Sequence, residues 1–189
     1  TGSNASGKST FLKTIALNVI LSQTIFTCIS HTYEGDYLKV MTSMALRDNL
    51  EGGESYYIGE IKSLQRILEE CKKDQPVLCI VDEVLRGTNT IERIAASSRI
   101  LKYLQRPEVL PLAATHDIEL SYILEDCYTN YHFEEEIIDH DVLFNYQLKK
   151  GRATTRNAIR LLEMIGYDKK IVTEAQQAAQ KFEKTGVWE

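Results

Sequence analysis

The sequence predicts an α/β fold in which a mostly parallel central sheet is flanked by helices. Two short apolar runs, residues 77–81 and 110–114, have the length and continuity of strands that are buried on both faces. Helical stretches alternate with these runs along the chain, which is typical of a parallel sheet built from strand–helix–strand units. The 189 residues suffice for one well-buried domain and a small appendage.

The remaining elements follow from periodicity and from breaks in it. Apolar residues recur at helical spacing after residue 8, and a second clear amphipathic stripe follows a glycine pair. Residues 24–47 are mixed, with short β-like runs. The predicted helices cover residues 8–23, 57–71, 91–104 and 118–124, and the predicted early strands cover 24–29 and 38–44.

Towards the C-terminus, the sequence pattern changes at Gly151 from strand-like alternation to helical spacing. Residues 128–133 and 137–148 alternate well enough to be antiparallel strands. Beyond them, apolar positions predict one helix over 158–165 and another over 171–182. We therefore expect an α/β domain over residues 1–150 and a helical appendage over 151–189.

Composition narrows the classes of function. The chain is 43% hydrophobic and 26% charged, and it has no apolar stretch of membrane-spanning length and no visible signal peptide. We therefore expect no membrane contact from this chain. Its four scattered cysteines suggest neither a zinc site nor a disulfide framework, which favours a location in the reducing cytoplasm. A net charge of −5 argues against a strong DNA-binding surface on this chain itself.

The pattern G-x-x-x-x-G-K-[ST] opens the chain at residues 2–9. In such a loop, glycines let backbone N–H groups face phosphate oxygens, the lysine reaches the β and γ phosphates, and the serine hydroxyl ligates Mg²⁺. The alternative is a Gly/Ser-rich turn that caps a helix. The candidate ATP-binding residues are Gly2, Ser3, Asn4, Ala5, Ser6, Gly7, Lys8, Ser9 and Thr10. Such a loop normally follows a buried strand, so we expect that strand to precede Thr1.

Two polar clusters follow the two buried strands. Asp82 and Glu83 end the first strand, where Asp82 can help to hold Mg²⁺ with Ser9 and Glu83 can polarise an attacking water. The alternative is a solvated acidic turn. His116 ends the second strand and can contact a γ phosphate, or it can simply precede a capped helix.

Two further segments are candidates for contacts between subunits. A glycine pair followed by Ser55 precedes a helix and can form a second anion site, which makes sense if Ser55 reaches a phosphate held by a partner subunit; the alternative is simple helix capping. The turn after Glu83 can connect two active sites of a dimer or be an ordinary loop. Its candidate residues are Arg86, Gly87, Thr88 and Asn89.

Taken together, these motifs resemble the C-terminal ATPase domain of MutS-type DNA mismatch repair proteins, within the ABC ATPase superfamily. The resemblance covers nearly the whole chain in family order. It is carried by residues 1–10, 48–50 with 53–55, 77–83, 86–90 and 114–116.

The resemblance implies a P-loop fold of ABC type and a Mg²⁺-dependent ATPase that forms ADP and phosphate. It implies a homodimer, joined through the ATPase domain and the C-terminal helices, in which each ATP lies between one subunit's loop and Ser55 of the other. Glu83 would activate water, Asp82 would help to hold Mg²⁺ and His116 would sense the γ phosphate. ATP state would control DNA binding by domains outside this chain, in mismatch repair or related DNA repair.

The chain departs from the family pattern at several positions. Glu54 stands where better-known members usually carry a basic residue, and Leu85 replaces a common glycine. These departures indicate a divergent MutS-like branch. Two other functions remain open. One is the ATPase subunit of an ABC transporter, although the absence of an L-S-G-G-Q segment from the sequence argues against it. The other is a nucleotide-gated dimerisation module with little hydrolysis.

Overall fold

The computed structural model describes residues 1–3, 6–44, 56–138, 141–153 and 158–188. Within them the chain forms helices and strands in alternation, followed by a strand pair and two helices. The elements are α1 (Lys8–Ile25), β1 (Lys39–Ser43), α2 (Tyr56–Glu70), β2 (Val77–Asp82), α3 (Thr90–Tyr103), β3 (Val109–Ala114), α4 (Ile118–Ile123), β4 (Tyr131–Ile138), β5 (Asp141–Lys150), α5 (Ala158–Ile165) and α6 (Lys169–Thr185).

A parallel three-stranded sheet in the order β1-β2-β3 forms the centre of the fold. Side chains of β2 alternate between its two faces, and both faces are buried. Val77, Cys79 and Val81 pack with residues of α2, α3 and α4, while Leu78 and Ile80 pack against α1. The predicted helix–sheet–helix layering is therefore confirmed for these strands. Ile80 is 0% exposed, so truncation to alanine is expected to cost about 2–5 kcal/mol of unfolding free energy.

Strands β4 and β5 form a separate antiparallel pair, as the alternation predicted. The second strand was predicted to start at residue 137, which is wrong, because β4 continues to Ile138 and β5 begins at Asp141. The chain start is tied to this pair: the Thr1 amino group donates to the Tyr131 carbonyl at 2.6 Å, and the Phe133 N–H donates to the Thr1 carbonyl at 3.1 Å. These two bonds place residues 1–3 beside β4, and they fix where the glycine-rich loop enters α1. The observed fold is thus mixed α/β, with one parallel sheet and one antiparallel pair.

The strand predicted over residues 24–29 is wrong. Helix α1 continues to Ile25 and ends at Phe26, whose φ of 55° is left-handed and whose N–H donates to the Leu21 carbonyl. The β-branched residues Thr24 and Ile25 favour strand only weakly, and continuation of the helix overrides that preference.

The start of the first antiparallel strand was also predicted three residues too early. Tyr128 does not belong to β4; its hydroxyl donates to the Leu101 carbonyl at 2.7 Å, which anchors the preceding segment on α3. A tyrosine that alternates with strand residues in the sequence is here a packing contact to a helix.

The C-terminal segment consists of α5 and α6, which pack against each other. Asp168 caps α6 through a hydrogen bond from the Lys170 N–H at 2.7 Å, and Gly186 ends it with a φ of 69°. Both predicted helices are confirmed, whereas the domain division at residues 150 and 151 stays a prediction. In the described part of the chain, no helix combines the length and apolar character needed to cross a membrane.

Candidate phosphate-binding site

The glycine-rich loop leads directly into the N-terminus of α1. Gly7 caps the helix with a φ of 104°, and a Cβ built there would lie 3.1 Å from Cδ1 of Tyr146. The backbone conformation therefore favours glycine at this position, and the Tyr146 ring leaves little room for a side chain. Asn4 and Ala5 lie outside the described residues, so their predicted role stays a prediction.

The Lys8 side chain folds back onto the loop that precedes it. Its side chain is only 8% exposed, and Nζ donates to the carbonyl oxygens of Gly2 at 2.8 Å and Ser3 at 2.6 Å. The ammonium thus lies at the positive end of α1, where a bound anion would be favoured by both charges. Ser6 Oγ is buried nearby with no hydrogen bond to a described residue.

Asp82 and Glu83 lie where β2 ends beside β3. Asp82 pairs in register with Ala114, and the Glu83 N–H donates to the Ala114 carbonyl at 2.8 Å. Asp82 Oδ1 is buried without a hydrogen bond to any described residue. A buried carboxylate oxygen lacking a donor is costly unless a cation or ordered water serves it, so this atom fits the predicted Mg²⁺ site.

Glu83 is held by its own turn. Its φ of 59° is left-handed, and its side chain is 10% exposed. Nε of Arg86 lies 2.5 Å from Oε2, and Nδ1 of His116 lies 3.6 Å from Oε1. His116 thus lies beside Glu83, at the end of the neighbouring strand, and its predicted contact with a phosphate stays a prediction.

One cleft brings the two motifs together. Its volume is about 580 Å³, and its walls include the glycine-rich loop, Glu83 and two aromatic residues of the β4–β5 pair. The residues that line it are Ser6, Gly7, Lys8, Ser9, Thr10, Phe11, Thr14, Glu83, Phe133 and Tyr146. The lysine, the candidate Mg²⁺-ligating serine and the candidate base therefore share one space large enough for a phosphate chain.

The turn after Glu83 divides into two parts. Arg86 pairs with Glu83, and Gly87 packs against α2. Asn89 caps α3 by accepting a hydrogen bond from the Glu92 N–H at 3.0 Å, while the Thr88 hydroxyl donates to the Glu92 carboxylate at 2.9 Å. Thr88 and Asn89 thus have a capping function, and their predicted role between two active sites is untested. Ser55 lies outside the described residues.

Three features of the site escaped the sequence reasoning. Tyr146 forms a wall of the cleft, and its ring lies beside Phe144 with centroids 6.0 Å apart. Arg93 binds the Asp117 carboxylate through two hydrogen bonds of 2.8 and 2.6 Å, which fixes the segment after His116. Glu60 of α2 is buried against the Glu83 turn. None belongs to a local motif, because the contacts that bring these three residues to the site, with Gly7, Asp117 and Leu85 respectively, join positions far apart in the chain.

The fold and the site define a mixed α/β protein with a phosphate-binding-loop sequence and an acidic strand end that line one cleft. The family model described as MutS domain V matches residues 1–183, and the chain belongs to this family. The "DNA mismatch repair protein MutS" of Aquifex pyrophilus is 31% identical over 97% of this chain and 22% of that protein. The "MutS protein homolog 4" of Homo sapiens is 31% identical over 94% of this chain and 20% of that protein. The chain thus spans about a fifth of the length of these relatives.

Proposed function

We propose that this chain binds and hydrolyses ATP with Mg²⁺, as a P-loop domain of ABC type in a protein of DNA mismatch repair or related DNA repair. The observation that carries the proposal is the shared cleft of Lys8 and Glu83. Membership of the MutS domain V family and the similarity to DNA mismatch repair proteins support the repair context.

The loop residues supply binding. Lys8 already satisfies its charge with two carbonyl oxygens, so a triphosphate entering the cleft would exchange these bonds for stronger, charge-assisted ones. The N-terminus of α1 adds its dipole to the same phosphates. Tyr146 offers an aromatic surface at the side of the loop, on which a nucleobase can stack.

The strand end supplies the chemistry. Ser9 and Asp82 would hold Mg²⁺, which, when bound, neutralises phosphate charge and orients the β and γ oxygens. Glu83 would accept a proton from, or orient, the attacking water, and His116 would donate a hydrogen bond to the γ phosphate. The products would be ADP and inorganic phosphate.

Binding is tested with Lys8→Ala in the full-length protein. We expect Mg·ATP affinity to fall at least tenfold, because a charge-assisted hydrogen bond contributes about 1.5–3 kcal/mol. Lys13→Ala, one turn further along α1, is the matched control and should bind as the wild type does. Isothermal titration calorimetry gives both values, and an unchanged dissociation constant for Lys8→Ala would contradict the binding site.

We further propose that the protein acts as a homodimer with composite sites, in which Ser55 of one subunit completes the ATP site of the other. Exposed apolar side chains on and beside α5 and α6 support a contact there: Ile165 is 75%, Ile171 51% and Trp188 66% exposed. ATP state would then control DNA binding by domains outside this chain.

Subunit mixing tests the composite site. Ser55→Ala and Lys8→Ala proteins should each be inactive alone, whereas their mixture should regain activity through heterodimers that keep one intact site. Steady-state phosphate release measures this recovery, and a mixture no more active than its parts would contradict the composite site. The control is Lys8→Ala protein alone at the same total concentration, which should stay inactive.

The closest alternative is a nucleotide-gated dimerisation module with little hydrolysis. The ion pair between Arg86 and Glu83 favours it, because the guanidinium then occupies the carboxylate oxygen Oε2 that an attacking water would need. Single-turnover hydrolysis separates the two functions: ATP that stays intact on wild-type dimers for hours would favour the module.

A further inference from the structure

Glu60 is a buried acidic residue in the middle of α2, beside the turn that carries Glu83. It is 3% exposed, and its Oε1 accepts a hydrogen bond from the backbone N–H of Leu85. Glutamate is rarely buried without a specific partner, since removing its charge from water is unfavourable. Burial accordingly raises the pKa of Glu60, although the Leu85 and Arg86 N–H groups and the Arg86 charge oppose this.

The Leu85 N–H, which donates this hydrogen bond to Glu60, belongs to a turn with an unfavourable backbone conformation. Both Glu83 and Leu85 adopt left-handed conformations, with φ of 59° and 57°, which non-glycine residues rarely take. Such conformations persist only where the surroundings hold them in place. Leu85 carries a side chain, so it cannot adopt this conformation as freely as a glycine would.

Helix α2 contacts the same turn at a second point. A Cβ built on Gly87 would lie 2.8 Å from Cβ and 3.0 Å from Cδ2 of Tyr57, so the first turn of α2 is packed directly on Gly87. Glu60 and Tyr57 lie three residues apart and thus on one face of the helix. This face of α2 fixes the turn from one side, while β3 fixes Glu83 through the Ala114 carbonyl.

We propose that Glu60 is a positioning residue for hydrolysis, whose hydrogen bond to Leu85 holds the left-handed turn and so aims the Glu83 carboxylate into the cleft. The inference deepens the proposed ATPase function and rests on it. Glu60 does not line the cleft of the phosphate loop. It acts through the turn, so its loss should change turnover and not nucleotide affinity.

The test uses the full-length protein with four variants. Glu60→Ala removes the acceptor, Glu60→Gln keeps an oxygen that can accept from Leu85, and Gly87→Ala forces α2 from the turn without removing a charge. Glu69→Ala is the matched control, because Glu69 is an exposed glutamate on the same helix. For each variant, kcat, KM, the Mg·ATP dissociation constant and the melting temperature are measured.

We expect kcat to fall by about 10–10²-fold in Glu60→Ala, the range typical of a misplaced reactive group, with the dissociation constant within twofold of wild type. Glu60→Gln should recover most of this loss, Gly87→Ala should show the same loss of kcat alone, and Glu69→Ala should match wild type. Should Glu60→Ala fail to fold, Gly87→Ala and Glu60→Gln still decide the matter.

Three results would overturn the inference: a wild-type kcat in Glu60→Ala or, if that variant does not fold, in Gly87→Ala; a loss of affinity equal to the loss of kcat; or no recovery in Glu60→Gln. Glu83→Gln in the same assays separates this failure from failure of the proposed function. If Glu83→Gln is inactive while Glu60→Ala is fully active, only the role of Glu60 falls. If Glu83→Gln retains wild-type turnover, the assignment of the base falls first.

Discussion

The phosphate loop and the turn after β2 line the same cleft, yet they hold their charged groups in different ways. Lys8 is bound by carbonyl oxygens only five and six residues before it, within its own loop. Glu83 depends on contacts from several elements: Ala114 of β3, His116 after it and Glu60 of α2 through Leu85. The Lys8 ammonium is therefore held by local contacts, whereas the Glu83 carboxylate is held both by Arg86 of its own turn and by the tertiary fold.

This difference predicts that binding and hydrolysis can be separated by mutation. A change in the loop should affect affinity, because the phosphate contacts are there. A change in the residues around the β2 turn should affect turnover, because those residues set where the carboxylate lies. The three predictions below test this separation, beginning with the largest effect.

Glu83→Gln should slow ATP hydrolysis by about 10²–10⁴-fold, the usual contribution of a positioned general base, while Mg·ATP affinity stays near that of wild type. The amide is close in size to the carboxylate and cannot take the proton. Single-turnover phosphate release and calorimetry measure the two quantities. Wild-type turnover would exclude Glu83 as the base, and lost affinity would show that binding and hydrolysis are not separable.

His116→Ala should reduce turnover by about 10–10²-fold, which corresponds to one hydrogen bond to a charged group. His116 is 47% exposed on its side chain, so its removal should leave the melting temperature nearly unchanged. His116→Asn, which keeps a donor, is the control. A turnover equal to that of wild type in both variants would show that His116 has no part in hydrolysis.

Asn89→Ala should have the smallest effect on catalysis. It removes the cap of α3, which is expected to cost about 0.5–2 kcal/mol of unfolding free energy. Chemical denaturation measures this loss, and Asn89→Ser, which can also cap, should recover it. If turnover of the dimer falls although stability is recovered in Asn89→Ser, this segment also contributes to communication between two sites.

The same contrast between local and tertiary contacts explains which features of the fold and the site could be predicted from the sequence alone. The helix that begins at Lys8 and the strand that ends at Asp82 are local patterns, and both were correctly placed because helical spacing and apolar runs record local geometry. The contacts of Glu60 with Leu85 and of Arg93 with Asp117 were not foreseen, since periodicity carries no information on which distant residues meet. The false strand at residues 24–29 has a related cause, because a β-branched pair at the end of a helix resembles a strand over so short a window.

Tyr146 illustrates the same limit at the cleft. In the sequence it is one of several aromatic residues in an alternating strand, whereas in the fold it lies over Gly7 at the mouth of the phosphate loop. Its position depends on the pairing of β5 with β4 and on the bonds between β4 and Thr1. A residue that reaches the site through strand pairing of this kind cannot be recognised from a local sequence pattern.

The central claim is that Lys8, Asp82 and Glu83 act on a single triphosphate, and a crystal structure of the Glu83→Gln protein with Mg²⁺ and ATP tests it most directly. We expect Lys8 Nζ within about 3 Å of β and γ phosphate oxygens. We also expect Mg²⁺ about 2.1 Å from Ser9 Oγ, with Asp82 bound to it directly or through water. A nucleotide bound outside this cleft, or a γ phosphate far from residue 83, would contradict the account.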